Sequence, residues 1–228
     1  MFFDPYYMMC VLLPTLLLSF GVQMYLKSTY SKWSQVRNSE NLTGDRVAQV
    51  LFQRASVDQI PLQGVRGSMT DHFDPGANVV RLSESTVGSP SVASMAIAAH
   101  ELGHVQQYQT GSALIKARGM LLPALRFSPT VSYIAILLGF MFNIVGLIWV
   151  GIIFFGLMVL FSLLTLPVEF DASKRGLALL TEAGLMQTDD DRVGARKVLN
   201  AAGLTYLAAA VTSVLQLLYY ISIAQRRR

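Results

Sequence analysis

"SMAIAAHELGHVQQ", residues 94–107, contains two of the three histidines of this 228-residue chain. His100 and His104 lie four positions apart, and Glu101 follows the first of them in an HExxH pattern. Side chains four positions apart share one face of an α-helix, so both imidazoles can reach a single metal ion. A pattern with two free positions also arises by chance on surface helices, but here it uses most of the histidines in the chain. The stretch therefore predicts a metal site on a helix.

The chemistry predicted by this pattern is hydrolysis at zinc. A catalytic zinc ion takes three protein ligands and leaves its fourth position to water. Glu101 lies one step round the helix and is the candidate base that takes a proton from that water. Ala98, Ala99 and Gly103 keep the helix surface small. We expect these small residues to let another element, with the third ligand, pack closely against the helix.

The third ligand has two candidates. Glu169, in "LPVEFDAS", follows a long uncharged stretch and is favoured, although it would also suit the start of a helix as a capping carboxylate. His72, in "TDHFDP", is the rival ligand and also a candidate catalytic residue that stabilises the oxyanion. In the alternative, Asp71 and Asp74 bind backbone amides of a turn and His72 is incidental. Asp171 either orients a histidine or is an ordinary exposed acid.

The composition indicates a membrane protein, with 53% hydrophobic and 14% charged residues. Three stretches lack Asp, Glu, Lys, Arg and His: Pro5 to Leu26, Phe127 to Val168, and Val198 to Gln225. A membrane helix needs about 20 apolar residues, so the first and third stretches can each cross once. The middle stretch can cross twice with a turn near Asn143 to Gly146. We therefore predict four membrane helices.

The predicted fold is mainly α and integral to the membrane, with a small α+β zincin-like catalytic domain that holds the HExxH helix and a short β-hairpin. The first apolar stretch has no basic segment before it and no small-residue cleavage site, which favours a retained anchor over a signal peptide. The predicted segments are a transmembrane anchor (5–26), a catalytic region (27–126), a transmembrane helical hairpin (128–168), a second catalytic segment with the third ligand (169–203), and a C-terminal transmembrane helix (204–225).

Local signals place elements within the polar segments. Thr43 is a predicted helix N-cap, and Ser89-Pro90 is predicted to open the HExxH helix. Apolar pieces around Val65 and Val79 to Leu82, separated by Asp-Pro-Gly, predict the hairpin. The run Asp189 to Asp191 is typical of a solvated loop before a helix. Cys10, the only cysteine, excludes an intramolecular disulfide and a cysteine-based zinc cluster.

Charge distribution predicts the orientation of the chain. A pair of membrane helices separates the two polar segments, so both must lie on one side of the membrane, and together they hold 15 of the 18 Lys and Arg residues. The positive-inside rule places that side in the cytoplasm, although Arg226 to Arg228 argue the other way. The net charge of +4 thus orients helices and does not indicate a nucleic-acid partner. We expect the plasma (inner) membrane of a prokaryote, with the catalytic region on its cytoplasmic side.

The sequence as a whole resembles the YugP-like family of membrane zinc metallopeptidases, relatives of the HtpX and CAAX-prenyl-protease group. The matching stretches are "TGDRVAQVLF", "GSMTDHFDPGANVVRLS", "SVASMAIAAHELGHVQQ", "LPVEFDASKRGL" and "ARKVLNAAGLTYLAAAVTSVLQLLYY". The resemblance implies a gluzincin centre with one zinc ion per chain, His100, His104 and Glu169 as ligands, and Glu101 as base. One position departs from the broader pattern E-x-x-A-D, because Ser173 stands where an aspartate usually supports a ligand.

These observations favour a membrane-anchored zinc endopeptidase that cuts peptide bonds of membrane-associated or misfolded proteins, with the lipid bilayer as its other partner. An intramembrane metalloprotease is the first alternative. Charged residues precede and follow the motif, which favours a water-accessible site. A non-catalytic membrane scaffold is the second alternative, although the ligands and the base are all present.

Overall fold

The computed structural model describes residues 4–227 and is mainly helical. Its helices are α1 (Pro5–Tyr7), a π-helical turn (Met8–Leu12), α2 (Leu13–Ser34), α3 (Gly44–Arg54), α4 (Glu84–Val87), α5 (Val92–Gln109), α6 (Ala113–Leu125), α7 (Ser128–Met141), α8 (Val145–Glu182) and α9 (Asp189–Gln225). The strands are β1 (Leu62–Val65), β2 (His72–Asp74) and β3 (Val79–Ser83). The described chain forms two compact units: the first comprises residues 4–22, Lys116–Pro167 and 205–227, and the second comprises Gln23–Ile115 and Val168–Leu204.

Within residues 4–227, three helical segments are long and apolar enough to cross a membrane: Pro5–Ser34, α8 and α9. A fourth crossing exists if α6 and α7, which are bent by 50° relative to each other, count as one span. We expected one of the four crossings to begin near residue 128, but α7 has only 14 residues, fewer than a single membrane helix needs. Pro129 lacks a backbone N–H, which is tolerated in the first turn of a helix and favours the start of a new helix, α7, at this point.

The predicted turn in the middle apolar stretch is confirmed. Helix α7 ends at Met141, α8 begins at Val145, and Asn143 between them has a φ of 55°. The two helices approach closely after this turn at two glycines of the first unit. A Cβ atom on Gly139 would lie 2.6 Å from Ile148, and one on Gly151 would lie 2.6 Å from Ile136. Small residues at a contact between helices are typical of membrane proteins.

The second unit contains a three-stranded sheet in the order β1-β3-β2. Strand β2 pairs with β3 antiparallel and forms the hairpin, whose turn is closed by hydrogen bonds from the amides of Gly76 and Ala77 to Asp74 Oδ1. The expected hairpin partner around Val65 is wrong. That segment is β1, which pairs with β3 in parallel. The tight turn joins the antiparallel neighbours β2 and β3. Strand β1 runs parallel to β3 because the chain reverses direction twice between them, once before β2 and once in the hairpin turn.

Two helix starts were predicted, and one of them is corrected. Thr43 is the N-cap of α3, as expected. Helix α5 starts at Val92 with Ser91 as its cap, because Ser91 Oγ accepts from the Ser94 amide at 3.1 Å, so the prediction of Ser89-Pro90 is wrong. The Pro90 carbonyl accepts from Asn38, and the Val92 amide donates to Val36. This pairing keeps the backbone extended up to Ser91.

Helices α8 and α9 are longer than the sequence indicated. Glu169 lies inside the continuous helix α8, so the interpretation of this residue as a helix cap is wrong. The run of aspartates at 189–191 is the first turn of α9 and not a solvated loop. Asp191 is buried and accepts from the amides of Ser39 and Thr188 at 3.1 and 3.0 Å. The Thr188 hydroxyl in turn accepts from the Asp191 amide, so the two residues cap the helix reciprocally.

The core of the second unit surrounds α5. Val47 and Leu51 of α3, Leu82 of β3 and Leu180 of α8 are fully buried, or nearly so, in the same apolar cluster as Met95 and Leu102 of α5. The HExxH segment is therefore held by packing on several sides, which fixes the direction in which its side chains project.

Candidate metal centre

Three side chains predicted as metal ligands meet in the second unit. Helix α5 presents His100 and His104, and α8 presents Glu169, whose Oε2 lies 3.4 and 3.5 Å from their two Nε2 atoms. All three ligand atoms lie within 4.8 Å of one another. In residues 4–227, this is the only group of three or more His, Cys, Asp or Glu side chains that is arranged to hold a metal ion. Two imidazole nitrogens and one carboxylate oxygen form a donor set that zinc takes in hydrolases.

A close contact between α5 and α8 brings these ligands together. A Cβ atom on Gly103 would lie only 2.2 Å from the carbonyl oxygen of Ala172, and one on Gly176 would lie 2.6 Å from that of Ala99. Neither contact leaves room for a side chain larger than hydrogen. Glycine at both positions therefore allows the two backbones to touch at two points next to the ligand group. This agrees with the expectation that small residues beside the motif admit the third ligand.

His100 is held from behind by Ser173. The Nδ1 atom of the ring lies 3.1 Å from Ser173 Oγ, one turn beyond Glu169 on α8. With the Nδ1 proton donated to this hydroxyl, the ring presents the lone pair of Nε2 toward Glu169 and the ligand group. The serine thus occupies the supporting position at which the broader sequence pattern has an aspartate.

His104 is held by a longer chain of hydrogen bonds. Its Nδ1 lies 3.0 Å from Gln107 Oε1, and the Gln107 amide donates to the Val168 carbonyl at 2.8 Å and to Asp171 Oδ2 at 2.7 Å. Arg175 Nε donates to the same Asp171 oxygen at 2.7 Å. Asp171 therefore reaches a histidine only through Gln107, which is fully buried.

Gln107 was not found from the sequence as a site residue, and Ser173 was noted only as a departure from the broader pattern, not as a partner of His100. Their signal was spacing: Gln107 follows His104 by three positions and Ser173 follows Glu169 by four, so each lies on the same helix face as a ligand. Neither residue type binds zinc directly, which is why a search for ligands passes over them.

Negative charge surrounds the two imidazoles. Burial raises the pKa of the Glu101 carboxyl above its usual range, against the smaller lowering effect of His100 and His104. Burial also disfavours a charged His104, but its hydrogen bond to Glu169 and the charges of Glu101 and Glu169 outweigh burial and raise its pKa. Two carboxylates around two imidazoles favour a cation at this point, and so the residues present fit a zinc ion.

His72 lies outside the ligand group. It is exposed on β2, with Nδ1 2.9 Å from the Thr70 carbonyl and Nε2 3.5 Å from Arg81. The structure therefore brings Glu169, and not His72, to the two histidines. The turn interpretation is confirmed for Asp74, whereas Asp71 binds an amide of strand β3 and not of a turn. Asp74 accepts from two amides of the hairpin turn, and Asp71 accepts from the Ser83 amide and hydroxyl at 2.8 Å each.

Comparison with known proteins gives an independent result. A family model described as "Putative neutral zinc metallopeptidase" matches residues 8–225. The "Putative membrane protease YugP" of Bacillus subtilis (strain 168) is 37% identical over 206 residues, which cover 90% of this chain and 91% of that protein. No solved structure matches the chain.

Replacing Gln107 by leucine should weaken zinc binding without removing a ligand. The His104 ring would lose its acceptor, and loss of such a partner lowers metal affinity about 10–100-fold. Zinc affinity of the purified chain can be measured by competition with a chromophoric chelator. Gln109→Ala, which removes an exposed glutamine from the same helix, serves as the control. Equal affinity in Gln107→Leu and the unaltered chain would show that this chain of hydrogen bonds does not position His104.

A methyl group at the contact between α5 and α8 should separate the ligands. Gly176→Ala would place a Cβ atom 2.6 Å from the Ala99 carbonyl oxygen. Overpacking of this kind costs about 1–3 kcal/mol, so thermal unfolding in detergent should occur at lower temperature and zinc should bind more weakly. Gly156→Ala is the matched control in the same helix, since a Cβ atom there meets nothing within 4 Å. If both variants behave alike, the close contact is not what holds the ligand group.

Proposed function

The chain belongs to the YugP-like family of zinc metallopeptidases, and on this premise we propose that it is a membrane-anchored zinc endopeptidase. Its substrates are peptide bonds in membrane-associated or misfolded proteins. The observation that carries the proposal is the approach of Glu169 to within 3.4 and 3.5 Å of the two HExxH histidines. Ligands from two different helices meet at one point, which a chance HExxH pattern on a surface helix would not require.

One zinc ion per chain would be held by Nε2 of His100, Nε2 of His104 and the carboxylate of Glu169. When bound, zinc supplies an acidified water molecule and polarises the scissile carbonyl. Ser173 and Gln107 hold the two rings from their Nδ1 sides, so that both Nε2 atoms face one point. The proton transfers of the reaction are carried out by residues of the chain.

Glu101 is proposed as the base. It is adjacent to His100 on α5, is 6% exposed, and lies close enough to His100, His104 and Glu169 for their charges to shift its pKa. The carboxylate takes the proton of the attacking water and then gives it to the amine nitrogen as the peptide bond breaks.

Strand β2 offers a place for an extended peptide. It forms one edge of the sheet and lies against α5, with the rings of Phe73 and Tyr108 5.6 Å apart. A substrate backbone could add to this edge as a further strand. His72 lies on the same strand, and we propose that it helps to stabilise the oxyanion.

The proposed location of the site is the water-accessible cytoplasmic border of the membrane. Glu169 directly follows the uncharged stretch 127–168, whereas Lys174 and Arg175 come shortly after it. Charged residues also precede and follow the HExxH motif in sequence, which favours the border over the lipid interior.

Glu101→Gln should bind zinc as the unaltered chain does but lose peptidase activity, because the amide cannot accept the proton of the attacking water. A loss of about 100-fold or more in kcat is expected. Casein cleavage by the detergent-purified chain, with bound zinc measured by elemental analysis, separates the two effects. Glu84→Gln, an exposed glutamate outside the site, is the control. Unimpaired activity at full zinc occupancy in Glu101→Gln would contradict the proposed mechanism.

The same assay tests His72. If this residue donates to the oxyanion, His72→Ala should lower kcat about 100-fold while zinc content stays the same. Unchanged kcat in His72→Ala would show that this residue has no role in catalysis and only contacts Thr70 and Arg81.

A further inference from the structure

The first unit contains an apolar groove that has no part in the metal centre. It has a volume of about 290 Å³ and is lined by α7 between residues 129 and 140, by two side chains of α8, by α9 between residues 216 and 220, and by Tyr7. Aromatic rings pack along its walls, with Tyr7 and Tyr219 4.6 Å apart and Phe155 and Tyr220 5.3 Å apart. Rings at these distances form a continuous apolar surface.

Polar groups beside the groove are hydrogen-bonded to one another. The Tyr7 hydroxyl donates to Gln216 Oε1 at 3.2 Å, and the Tyr219 hydroxyl donates to Asp4 Oδ2 at 3.2 Å. These contacts direct the tyrosine hydroxyls toward protein acceptors, and the rings are left as walls. The groove therefore suits a hydrocarbon chain better than a polar molecule.

One end of the groove is positively charged. A second cavity of about 320 Å³ shares Phe140 and Tyr219 with the groove and is also lined by Arg226, Arg227 and Asp4. Two guanidinium groups and one carboxylate thus line this cavity. Arg227 is held in place by Asn143, at 2.7 Å, and by the ring of Phe140, 4.8 Å below the guanidinium carbon. An anionic group is the charge complement of this end.

The length of the groove matches one leaflet of a bilayer. Its α7 wall runs from residue 129 to residue 140, a rise of about 16 Å at about 1.5 Å per residue. The hydrocarbon core of a bilayer is about 30 Å thick, so the groove extends over about half of it. The arginines stand at the end where the turn between α7 and α8 carries the polar side chain of Asn143.

From this arrangement we propose that the first unit binds a phospholipid with an anionic headgroup. One acyl chain lies in the groove between α7 and α9, and the phosphate lies between Arg226 and Arg227. The same apolar walls would accept a chain of any phospholipid. The arginine pair is therefore what selects the anionic headgroup.

The test is lipid binding to the full chain purified in detergent, followed by native mass spectrometry with phosphatidylglycerol, phosphatidylcholine and inorganic phosphate as separate probes. Phosphatidylglycerol should bind most tightly. The double variant Arg226→Gln/Arg227→Gln should bind it about 30-fold more weakly, since a basic residue near an anionic lipid surface contributes about fivefold. The double variant Arg192→Gln/Arg196→Gln removes the same charge elsewhere on α9 and should bind as the unaltered chain does. Arg226→Lys/Arg227→Lys keeps the charge and should recover most of the affinity.

The groove itself is tested by Leu137→Trp, which adds bulk to a half-exposed wall residue. It should weaken phosphatidylglycerol binding and leave any binding of inorganic phosphate unchanged, while thermal unfolding verifies that the variant folds. Equal binding of phosphatidylcholine and phosphatidylglycerol would overturn the proposal, as would full affinity in the double glutamine variant. The proposal would also be overturned if inorganic phosphate displaced the lipid and Leu137→Trp had no effect on lipid binding. The site would then bind anions without a hydrocarbon chain.

Discussion

The contact between α5 and α8 at Gly103 and Gly176 is the constraint on which the metal centre depends. Each glycine lies against a backbone carbonyl of the other helix, so the two backbones are in direct contact there. That distance lets the short carboxylate of Glu169 reach the Nε2 atoms of both histidines at once. A side chain at either position would move the ligands apart, although no ligand would have changed.

The electrostatics of the site follow from the same contact. It buries Glu169 and Glu101 beside two imidazoles in a low-dielectric interior, where carboxylates are costly unless a positive charge is near. A divalent cation would supply that charge. The hydrogen bonds of Ser173 and Gln107 determine which nitrogen of each ring would face it. Orientation of the ligands and the demand for positive charge thus both arise from the packing of two helices.

The sequence was sufficient for the parts of this account that depend on local spacing. The two histidines at helical spacing, and Glu169 as the preferred partner over His72, came from the pattern and the order of segments. The parts of the structure that depend on tertiary contacts could not be predicted from the sequence. The start of α5 at Ser91 depends on pairing with Val36 and Asn38, more than fifty positions away. Helix α8 continues through Glu169 and packs there against α5, although the sequence changes at this point from uncharged to charged residues. The role of Gln107 in holding His104 depends on its hydrogen bonds to the Val168 carbonyl and the Asp171 carboxylate, both on α8.

The most direct test of the account is X-ray absorption spectroscopy at the zinc edge on the purified chain loaded with one equivalent of zinc. The account predicts a low-coordinate first shell of two imidazole nitrogens and light oxygen donors at about 2.0–2.2 Å. It also predicts that Glu169→Ala loses a protein oxygen from that shell, whereas His72→Ala leaves the spectrum unchanged. A spectrum that is unchanged by Glu169→Ala but altered by His72→Ala would contradict the central claim that α8 completes the metal centre.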